Sequence, residues 1–464
     1  MPAARVVARN DNTGLRSEAV TTDAGLYLFA SLPAGNYSME VEKTGFKKLT
    51  RSGIEVRVAQ RIGLDLRLEI GDVQQTVDVT AEAPLLEPTT SERGSGVSPK
   101  MMDTLPLFAG GIRNPEAFVT YQPGVNVGAE VSISGSGGRA KEVMIDGGSL
   151  TIPESGGVVF NFPAAEMFGE FKLLTGTYSA EYGRFGGGVE LFITKSGNND
   201  IHGRAFWNMR RDVWNANQWA NNRTGRARAK ERFNEGGIGV GGPVWIPKVY
   251  DGRNKTFWFF TISRDYRPAT AAQTLSTVPT TDMRSGNFAG LAEIFDPLTT
   301  SGSTRLPFAG NVIPTSRISR ISAAILPNLP NPTRGVTQNN YDFVNVSQRT
   351  DTIWSVKFDH NFTPNNRIAY FHSLQNQTDA ATTQFTGPLG VGLGESFQRP
   401  QYVRVNHDLV ISPAVLLHST VSFSRTRQGW ANPDQQGFAS KVGLPVATDA
   451  TPRFRFSARD ALSP

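Results

Sequence analysis

Apolar and polar residues alternate along the second half of the chain. In TIWSVKFDHNF (352–362), Trp354, Val356 and Phe358 are separated by polar residues, and VLLHSTVSFSRTR (415–427) has the same period of two. Successive side chains of a strand point to opposite faces, so this period predicts strands with one apolar and one polar face. The pattern predicts seven long strands, at residues 203–214, 234–245, 255–266, 350–362, 366–375, 400–411 and 414–427.

The connections between these predicted strands alternate between short and long. IPKVYDGRN, TPNN and ISPA follow the second, fourth and sixth strands, whereas the third and fourth strands are separated by roughly eighty residues. A half-buried sheet of a soluble protein also has one apolar face. Strict alternation of tight turns and long loops is instead typical of outer-membrane barrels, whose two rims differ in this way.

The first seventy residues have shorter alternating segments. Leu26 and Leu28 precede the turn signal PAGN, and Tyr37, Met39 and Val41 follow it. The period of two continues in GIEVRVAQRIGLDLRLEI (53–70), so residues 1–70 are predicted to form a small antiparallel β-sandwich. Its opening, ARVVARN, looks like the second strand of such a unit, so the first strand is expected to be missing.

Residues 71–99 form a linker rich in Pro, Thr, Ser and Glu. Within it, QTVDVTA (75–81) alternates Val77 and Val79 with polar residues. Two interpretations stay open for this segment. It is the last edge strand of the sandwich, or it is an extended segment that donates its backbone edge to another protein.

The composition excludes several kinds of chemistry. The chain has no Cys, so disulfides, Cys-ligated zinc and thiol catalysis are excluded, and its five His are scattered without metal-ligand spacing. GSGGRAK lacks the Gly-Lys-Ser/Thr ending of a phosphate-binding loop, and Asp146 before two glycines suits a turn better than acid–base catalysis. No enzyme, cofactor or metal site is therefore predicted.

The net charge of +6 raises the question of nucleic-acid binding. NNRTGRARAKERF (221–233) is the densest basic segment, but no nucleic-acid-binding fold accompanies it, so a solvated loop is the preferred interpretation. No apolar run reaches the ~18 residues of a membrane helix, and the N-terminus lacks the apolar core of a signal peptide.

Two resemblances connect these regions. The spacing of Asp, Gly, Tyr, Phe and Leu-Pro from Asp23 onward resembles the carboxypeptidase regulatory-like domain. Residues 163–207, with EYGRFGGGV, TKSGNNDIHG and the earlier MIDGG, resemble the end of the plug and the first barrel strand of TonB-dependent outer-membrane transporters, and most of all their Oar-like group.

The resemblance implies a mainly β protein in four parts. Residues 1–70 would be the regulatory-like sandwich, 71–99 a linker, 100–198 an α+β plug domain and 199–464 part of a large transmembrane antiparallel barrel with long external loops. Such barrels have about 22 strands around a plug. Seven strands are too few to close, so the chain is expected to be a fragment at both ends.

The resemblance also implies functional residues. QTVDVTA occupies the place of the TonB box, which gives the candidates Gln75, Thr76, Val77, Asp78, Val79, Thr80 and Ala81. Candidates for a lock between plug and barrel wall are Glu181, Arg184, Gly186, Gly187 and Gly188. The glycines would let the plug backbone pass close to the wall, while Glu181 and Arg184 would form a polar lock or a solvated pair.

The implied function is uptake of a scarce external ligand across the outer membrane of a Gram-negative cell, with the N-terminal domain in the periplasm. TonB, the ligand and outer-membrane lipid would be the partners, and TonB would pull on the released box to displace the plug. An adhesion or protein-export platform without import is the alternative. The ligand is not identified, although the loops 215–233 and 268–349 suit a polar ligand or a glycan.

Overall fold

The first sheet belongs to the N-terminal domain. The structure, a computed structural model, describes residues 1–57, 60–71, 76–80, 92–97, 101–102, 114–127, 131–152, 163–183, 185–223, 225, 228, 230–381, 395–431 and 438–443. The N-terminal sheet has the order β2-β1-β3-β4-β5, antiparallel except for the parallel pair β4–β5. Its strands are β1 Arg5–Asn10, β2 Arg16–Val20, β3 Gly35–Glu42, β4 Lys48–Val56 and β5 Thr76–Thr80.

Some of the side chains that face the core of this domain are the neighbours of those that the alternating pattern suggests. Tyr37, Met39 and Val41 are buried as predicted, but Leu26 and Leu28 are 68% and 62% exposed. Tyr27 and Phe29 pack against the core in their place. The apolar residues Ile62, Leu64, Leu66 and Leu68 also pack there, from an extended segment that forms no strand between residues 60 and 69. The predicted strand over that segment is therefore wrong, although its inward face is correct.

The second sheet, called the plug sheet below, is mixed. Its order is β10-β9-β12-β11-β6, and β9 and β12 run parallel while the other pairs are antiparallel. Short 3-10 helices at Pro115–Tyr121 and Ala165–Met167 accompany it. The strands of this region are β6 Arg93–Val97, the ribbon β7 Val125–Val127 with β8 Val131–Ile133, then β9 Lys141–Ile145, β10 Gly148–Ser149, β11 Phe168–Gly176 and β12 Gly188–Thr194.

The third sheet, called the wall sheet, is a seven-stranded antiparallel meander. Its strands lie side by side in chain order, β13-β14-β17-β18-β19-β20-β21, and they correspond to the seven long strands that the sequence predicts. The bounds are β13 His202–Arg211, β14 Arg232–Pro243, the ribbon β15 Trp245–Ile246 with β16 Tyr250–Asp251, then β17 Thr256–Ser276, β18 Tyr341–Thr363, β19 Asn366–Ala381, β20 Glu395–Ser412 and β21 Val415–Ala431.

The wall sheet buries its polar side chains and exposes its apolar ones, which is the reverse of a sheet in a soluble protein. Polar residues of its inner face are buried, with Thr261, Ser355 and Ser373 at 0% exposure. Apolar residues of its outer face are exposed, with Phe358 at 44% and Val421 at 72%. A polar interior and an apolar exterior are what a lipid-facing barrel wall requires. Among the described residues, no helix is long and apolar enough to cross a membrane.

The strands β17 and β18 extend farther than predicted, so the connection between them is shorter, residues 277–340. This connection is ordered around a small core of its own. Val278 and Leu329 are buried in it together with Phe438 and Val442, which come from the segment beyond β21. Arg284 donates to the carbonyl oxygens of Pro279, at 3.0 Å, and of Leu326 and Leu329, at 3.3 and 3.1 Å.

Candidate functional site

The plug sheet packs against the inner face of the wall sheet through one shared apolar cluster. Most of its buried side chains come from the plug, and among these the Phe192 ring packs at a tilt against Phe168 and Phe171, with ring centroids 5.2 and 4.8 Å apart. The wall contributes three aromatic side chains to the cluster. These are Phe259 of β17, Phe371 of β19 and Tyr402 of β20.

A polar contact lies beside this cluster, at the turn between β9 and β10. The Asp146 carboxylate forms an ion pair with Arg404 of β20, Oδ2 to Nη1, at 2.5 Å. Arg404 Nη1 also donates to the Ile145 carbonyl oxygen at 3.0 Å, and Asn406 Nδ2 donates to the Asp146 carbonyl oxygen at 2.8 Å. These four residues form the contact that we call the Asp146 latch, and it ties the plug to the wall.

The backbone at Asp146 is shaped for this role. Asp146 has φ +43° and Gly147 has φ +86°, so the turn presents the carboxylate to the wall. The same carboxylate accepts hydrogen bonds from the Thr194 backbone N–H, at 2.9 Å, and from Thr194 Oγ1, at 2.5 Å. The latch therefore also fixes the end of β12.

Gly148 marks the closest approach of the plug turn to the wall. A Cβ atom built at Gly148 would lie 2.2 Å from Tyr402 Oη and 3.4 Å from Arg404 Cδ. Any side chain at this position would collide with β20, so the glycine lets the turn reach the Asp146 latch.

A second polar tie lies where the chain passes from the plug to the wall. Lys357 Nζ of β18 donates to the Thr194 carbonyl oxygen at 3.3 Å and lies 3.8 Å from Asp359 Oδ1. Farther along, a Cβ at Gly197 would lie 2.4 Å from the Trp258 carbonyl oxygen. Lys357 and Arg404, both on the inner face of the wall sheet, thus contact the plug directly.

Inside the plug, three charged residues form a buried group. Lys141 Nζ lies 2.8 Å from Glu190 Oε1 and also pairs with Glu116, and Glu190 is 0% exposed. Burial raises the pKa of Glu190 to about 7, although Lys141 opposes the shift. Burial alone would lower the pKa of Lys141, but its two carboxylate partners raise it. Sequence reasoning missed this group because its members are far apart in the chain.

The predicted lock residues lie elsewhere. The Cβ of Gly187 would meet Ser136 Oγ at 2.2 Å, and that of Gly188 would meet Ile133 Cγ2 at 2.8 Å, both inside the plug, while Gly186 has nothing within 4 Å. The nearest contacts of Gly187 and Gly188 thus lie inside the plug, and the role of the three glycines in a lock stays a prediction, whereas Gly148 and Gly197 approach the wall.

The two charged lock candidates lie in the turn after β11. Glu181 adds to the effect of burial, which raises the pKa of its neighbour Tyr182 to about 12. Arg184 lies outside the described residues, so the polar lock between these two positions stays a prediction.

The candidate TonB box lies in the N-terminal sheet. Its residues Thr76–Thr80 form β5, in parallel register with β4 from Lys48↔Thr76 to Ser52↔Thr80. Gln75 and Ala81 lie outside the described residues. The edge-strand interpretation of this segment therefore holds for its backbone, and its role in coupling stays a prediction.

A cavity of about 770 Å³ separates the three sheets near the latch. It is lined by polar residues of all three, including Asn10 of β1, Lys172 of β11 and Asp408 of β20. At its border, Arg367 Nη2 of β19 donates to Ser31 Oγ of the N-terminal domain at 2.9 Å. The N-terminal domain thus contacts the rim of the wall sheet that carries the short turns. In the described part of the chain, no group of three or more His, Asp or Glu side chains could hold a metal ion.

Comparisons with known proteins agree with this architecture. A family model described as "Outer membrane beta barrel domain" matches residues 193–462, and one described as "Carboxypeptidase regulatory-like domain" matches residues 1–69. The TonB-dependent transporter Oar of Myxococcus xanthus is 31% identical over 215 residues, which cover 45% of this chain and 20% of Oar. The chain thus spans about a fifth of the length of this curated relative.

Among solved structures, the ferric enterobactin receptor PfeA of Pseudomonas aeruginosa is 12% identical, with a TM-score of 0.42, over 74% of this chain and 41% of the receptor. The outer membrane transporter YddB of Escherichia coli is 13% identical, with a TM-score of 0.41, over 71% of this chain and 38% of YddB.

The chain belongs to the family of outer membrane β-barrel domains, whose model covers more than half of its length. It is similar to the TonB-dependent transporter Oar over 45% of its length, and its residues 1–69 match a carboxypeptidase regulatory-like domain. It is therefore an outer-membrane protein, as the sequence predicts.

Proposed function

We propose that this chain belongs to a TonB-dependent receptor that binds an external ligand and imports it by energy-coupled displacement of the plug. The N-terminal domain lies in the periplasm, on the rim of the short turns. The long connections, including residues 277–340, lie outside the cell.

The Asp146 latch is the observation that carries this proposal. A plug that must move needs contacts that hold it at rest and that water can replace when it leaves. The described contacts between plug and wall combine a small aromatic cluster with hydrogen bonds and the ion pair Asp146–Arg404. Charged and polar groups regain hydrogen bonds to water once separated, so the cost of parting them is far below their direct attraction.

The segment at 75–81 is the proposed point of energy coupling. TonB would add a strand to it and pull, which would load the chain toward the plug because β6 follows soon after β5. The test is deletion of residues 75–81 from an intact receptor in a Gram-negative host, with ligand binding and uptake measured separately. Uptake should be lost and binding kept. Unchanged uptake would refute energy coupling through this segment.

The ordered connection at 277–340 favours a second candidate, a binding platform without import. Its own buried core, with Val278 and Leu329, makes it a folded surface on the external side. Adhesion through this surface would survive deletion of 75–81, and no ligand would enter the cell. The same pair of assays thus separates the two functions.

A further inference from the structure

Arginines replace apolar side chains on the outer face of β20 and β21 near the rim that carries the long connections. The outward apolar positions end with the register partners Val403 and Phe423, and the outward positions beyond them carry exposed arginines. We call this group the arginine patch. Its members are Phe397 and Arg399 of β20, and Arg425 and Arg427 of β21.

We propose that the arginine patch binds the phosphate monoester of a glycolipid headgroup in the outer leaflet of the membrane. The lipid chains would then lie along the apolar residues below the patch, and the phosphate would lie between the guanidinium groups. This site is separate from the plug and from the path of an imported ligand, so the inference goes beyond the proposed function and does not depend on it.

The height of the patch on the wall provides the first argument. Eight residues separate Ile411, beside the short turn, from Val403, and the outward residues between them are apolar except for His407. A rise of about 3.4 Å per residue and a strand tilt of about 40° place Val403 about 21 Å above Ile411. The next outward row, with Arg425, then lies about 26 Å above Ile411, and the apolar band of such barrels is about 25 Å tall. The arginines therefore begin at the level of the lipid headgroups.

The mutual repulsion of two arginines provides the second argument. Arg399 and Arg427 are direct register partners, and like charges that face each other across two strands destabilise a sheet. In the described part of the chain, no carboxylate lies within 4.0 Å of Arg399, Arg425 or Arg427. An anion between the two guanidinium groups would offset this repulsion, so the patch is complete only with a ligand of negative charge.

A shared aromatic ring provides the third argument, because it holds both guanidinium groups at one place. The Cζ atoms of Arg399 and Arg427 lie 5.2 and 5.7 Å from the centre of the Phe397 ring. The ring lies over Gly429, its register partner, where a Cβ atom would be only 2.7 Å from Phe397 Cζ. A guanidinium group held against a ring can still donate two parallel hydrogen bonds from its edge to phosphate oxygens.

The number of charges favours a phosphate monoester over the phosphodiester of an ordinary phospholipid. A monoester carries a charge of about −1.5 to −2 at pH 7, whereas a phosphodiester carries a single negative charge. Arg399 and Arg427 together match the monoester, and Arg425 adds a third positive charge in the neighbouring row. The patch should therefore distinguish the two kinds of headgroup.

Native mass spectrometry of the detergent-solubilised full chain tests this site. The probe is lipid A, a glucosamine disaccharide that carries two phosphate monoesters, and it is compared with the same lipid after enzymatic removal of both phosphates. One molecule of lipid A should remain bound per chain, at least about tenfold more tightly than the dephosphorylated lipid. Phosphatidylglycerol, a phosphodiester, and inorganic phosphate, which has no lipid chains, should each bind at least about tenfold more weakly than lipid A.

The double variant Arg399→Gln/Arg427→Gln assigns the binding to the patch. Its affinity for lipid A should fall at least about tenfold, while its affinity for the dephosphorylated lipid stays unchanged, because removal of either partner removes the same interaction. The matched control is Arg264→Gln. Arg264 is also exposed on the outer face, where its register partner is Thr352 and not a second arginine. Its substitution should change the affinity less than twofold.

Each other outcome overturns the inference. Equal affinity for lipid A with and without its phosphates would show that the patch binds no phosphate, and this comparison needs only the parent chain. Equal binding of phosphatidylglycerol would show a general attraction to anionic lipid, and equal binding of inorganic phosphate would show that the lipid is not the ligand. An effect of Arg264→Gln as large as that of the double variant would show that the overall charge of the wall, and not the patch, attracts the lipid.

Discussion

The ion pair of the Asp146 latch makes a quantitative prediction for the variant Asp146→Asn. The substitution keeps the shape of the side chain and one oxygen that can accept from Thr194, but it removes the charge that faces Arg404. Arg404 is 0% exposed and Asp146 10%, so the guanidinium would remain buried without its counter-ion. Breaking a buried pair in this way costs about 3–5 kcal/mol. The retained hydrogen bond places the expected cost near 3 kcal/mol, the lower end of that range.

Amide hydrogen exchange in detergent, read by mass spectrometry, measures this cost locally. The amides of residues 141–150 and 188–194 belong to the strands that meet at the latch. Each 1.4 kcal/mol changes an opening equilibrium about tenfold, so these amides should exchange roughly a hundredfold faster in Asp146→Asn. The matched control is Asp296→Asn, which removes the same charge from a pair with Arg317 on the external connection, where the arginine is 32% exposed, and should leave plug exchange unchanged.

A double variant separates the charge effect from a general loss of packing. Arg404→Met in the Asp146→Asn background removes the unpaired guanidinium and should restore part of the lost protection. Exchange at 141–150 within twofold of the parent chain in Asp146→Asn alone would refute the view that this pair holds the plug. So would equal acceleration by the Asp296→Asn control.

Three further substitutions test other parts of the structure. Gly148→Ala should lower the thermal midpoint of the detergent-solubilised chain, because its Cβ would lie 2.2 Å from Tyr402 Oη, and Tyr402→Phe in the same background should restore part of the loss; an unchanged midpoint would show that the turn can shift freely. Since the folded plug binds the proton of Glu190 more tightly than the unfolded chain does, plug protection should increase as pH falls from about 7 toward 4.5, and Glu190→Gln should flatten that dependence. Phe358→Lys places a charge on the lipid face and should destabilise the chain in lipid by about 2–4 kcal/mol, against about 0–1 for Thr363→Lys at the strand end; equal effects would contradict the assignment of the outer face.

The periodic parts of the fold could be predicted from the sequence. Alternation over 352–362 and 415–427 was long enough to identify the strands, and the short turns identified which neighbours pair. The direction of the apolar face could not be decided from Phe358 and Val421 alone, because a soluble sheet has the same pattern. Only the burial of the polar residues opposite them identifies the outer face as the one that meets lipid.

The contacts between plug and wall could not be predicted in the same way. Asp146 and Arg404 are far apart in the chain, and each has an adequate local explanation, as a turn residue and as a residue of the barrel interior. The glycine run 186–188 attracted attention because it is conspicuous, whereas Gly148 makes the closer contact. In the N-terminal domain, the alternation at Leu26 and Leu28 gives a period without its phase, and Tyr27 and Phe29 pack against the core while the two leucines are exposed.

The alternation of apolar and polar residues in the wall strands also affects how the newly synthesised chain is translocated across the inner membrane. An outer-membrane protein must first pass through the inner membrane, where a long apolar segment would be retained as a membrane helix. In β18 and β21 the lipid-facing side chains are interrupted at every second position by residues such as Ser355, Lys357 and Ser422. No window of the strand is then apolar enough to be retained, and the lipid-compatible surface comes into existence only when the strands assemble side by side. The period of two thus first allows the chain to cross the inner membrane, and it later gives the assembled wall its lipid-facing surface.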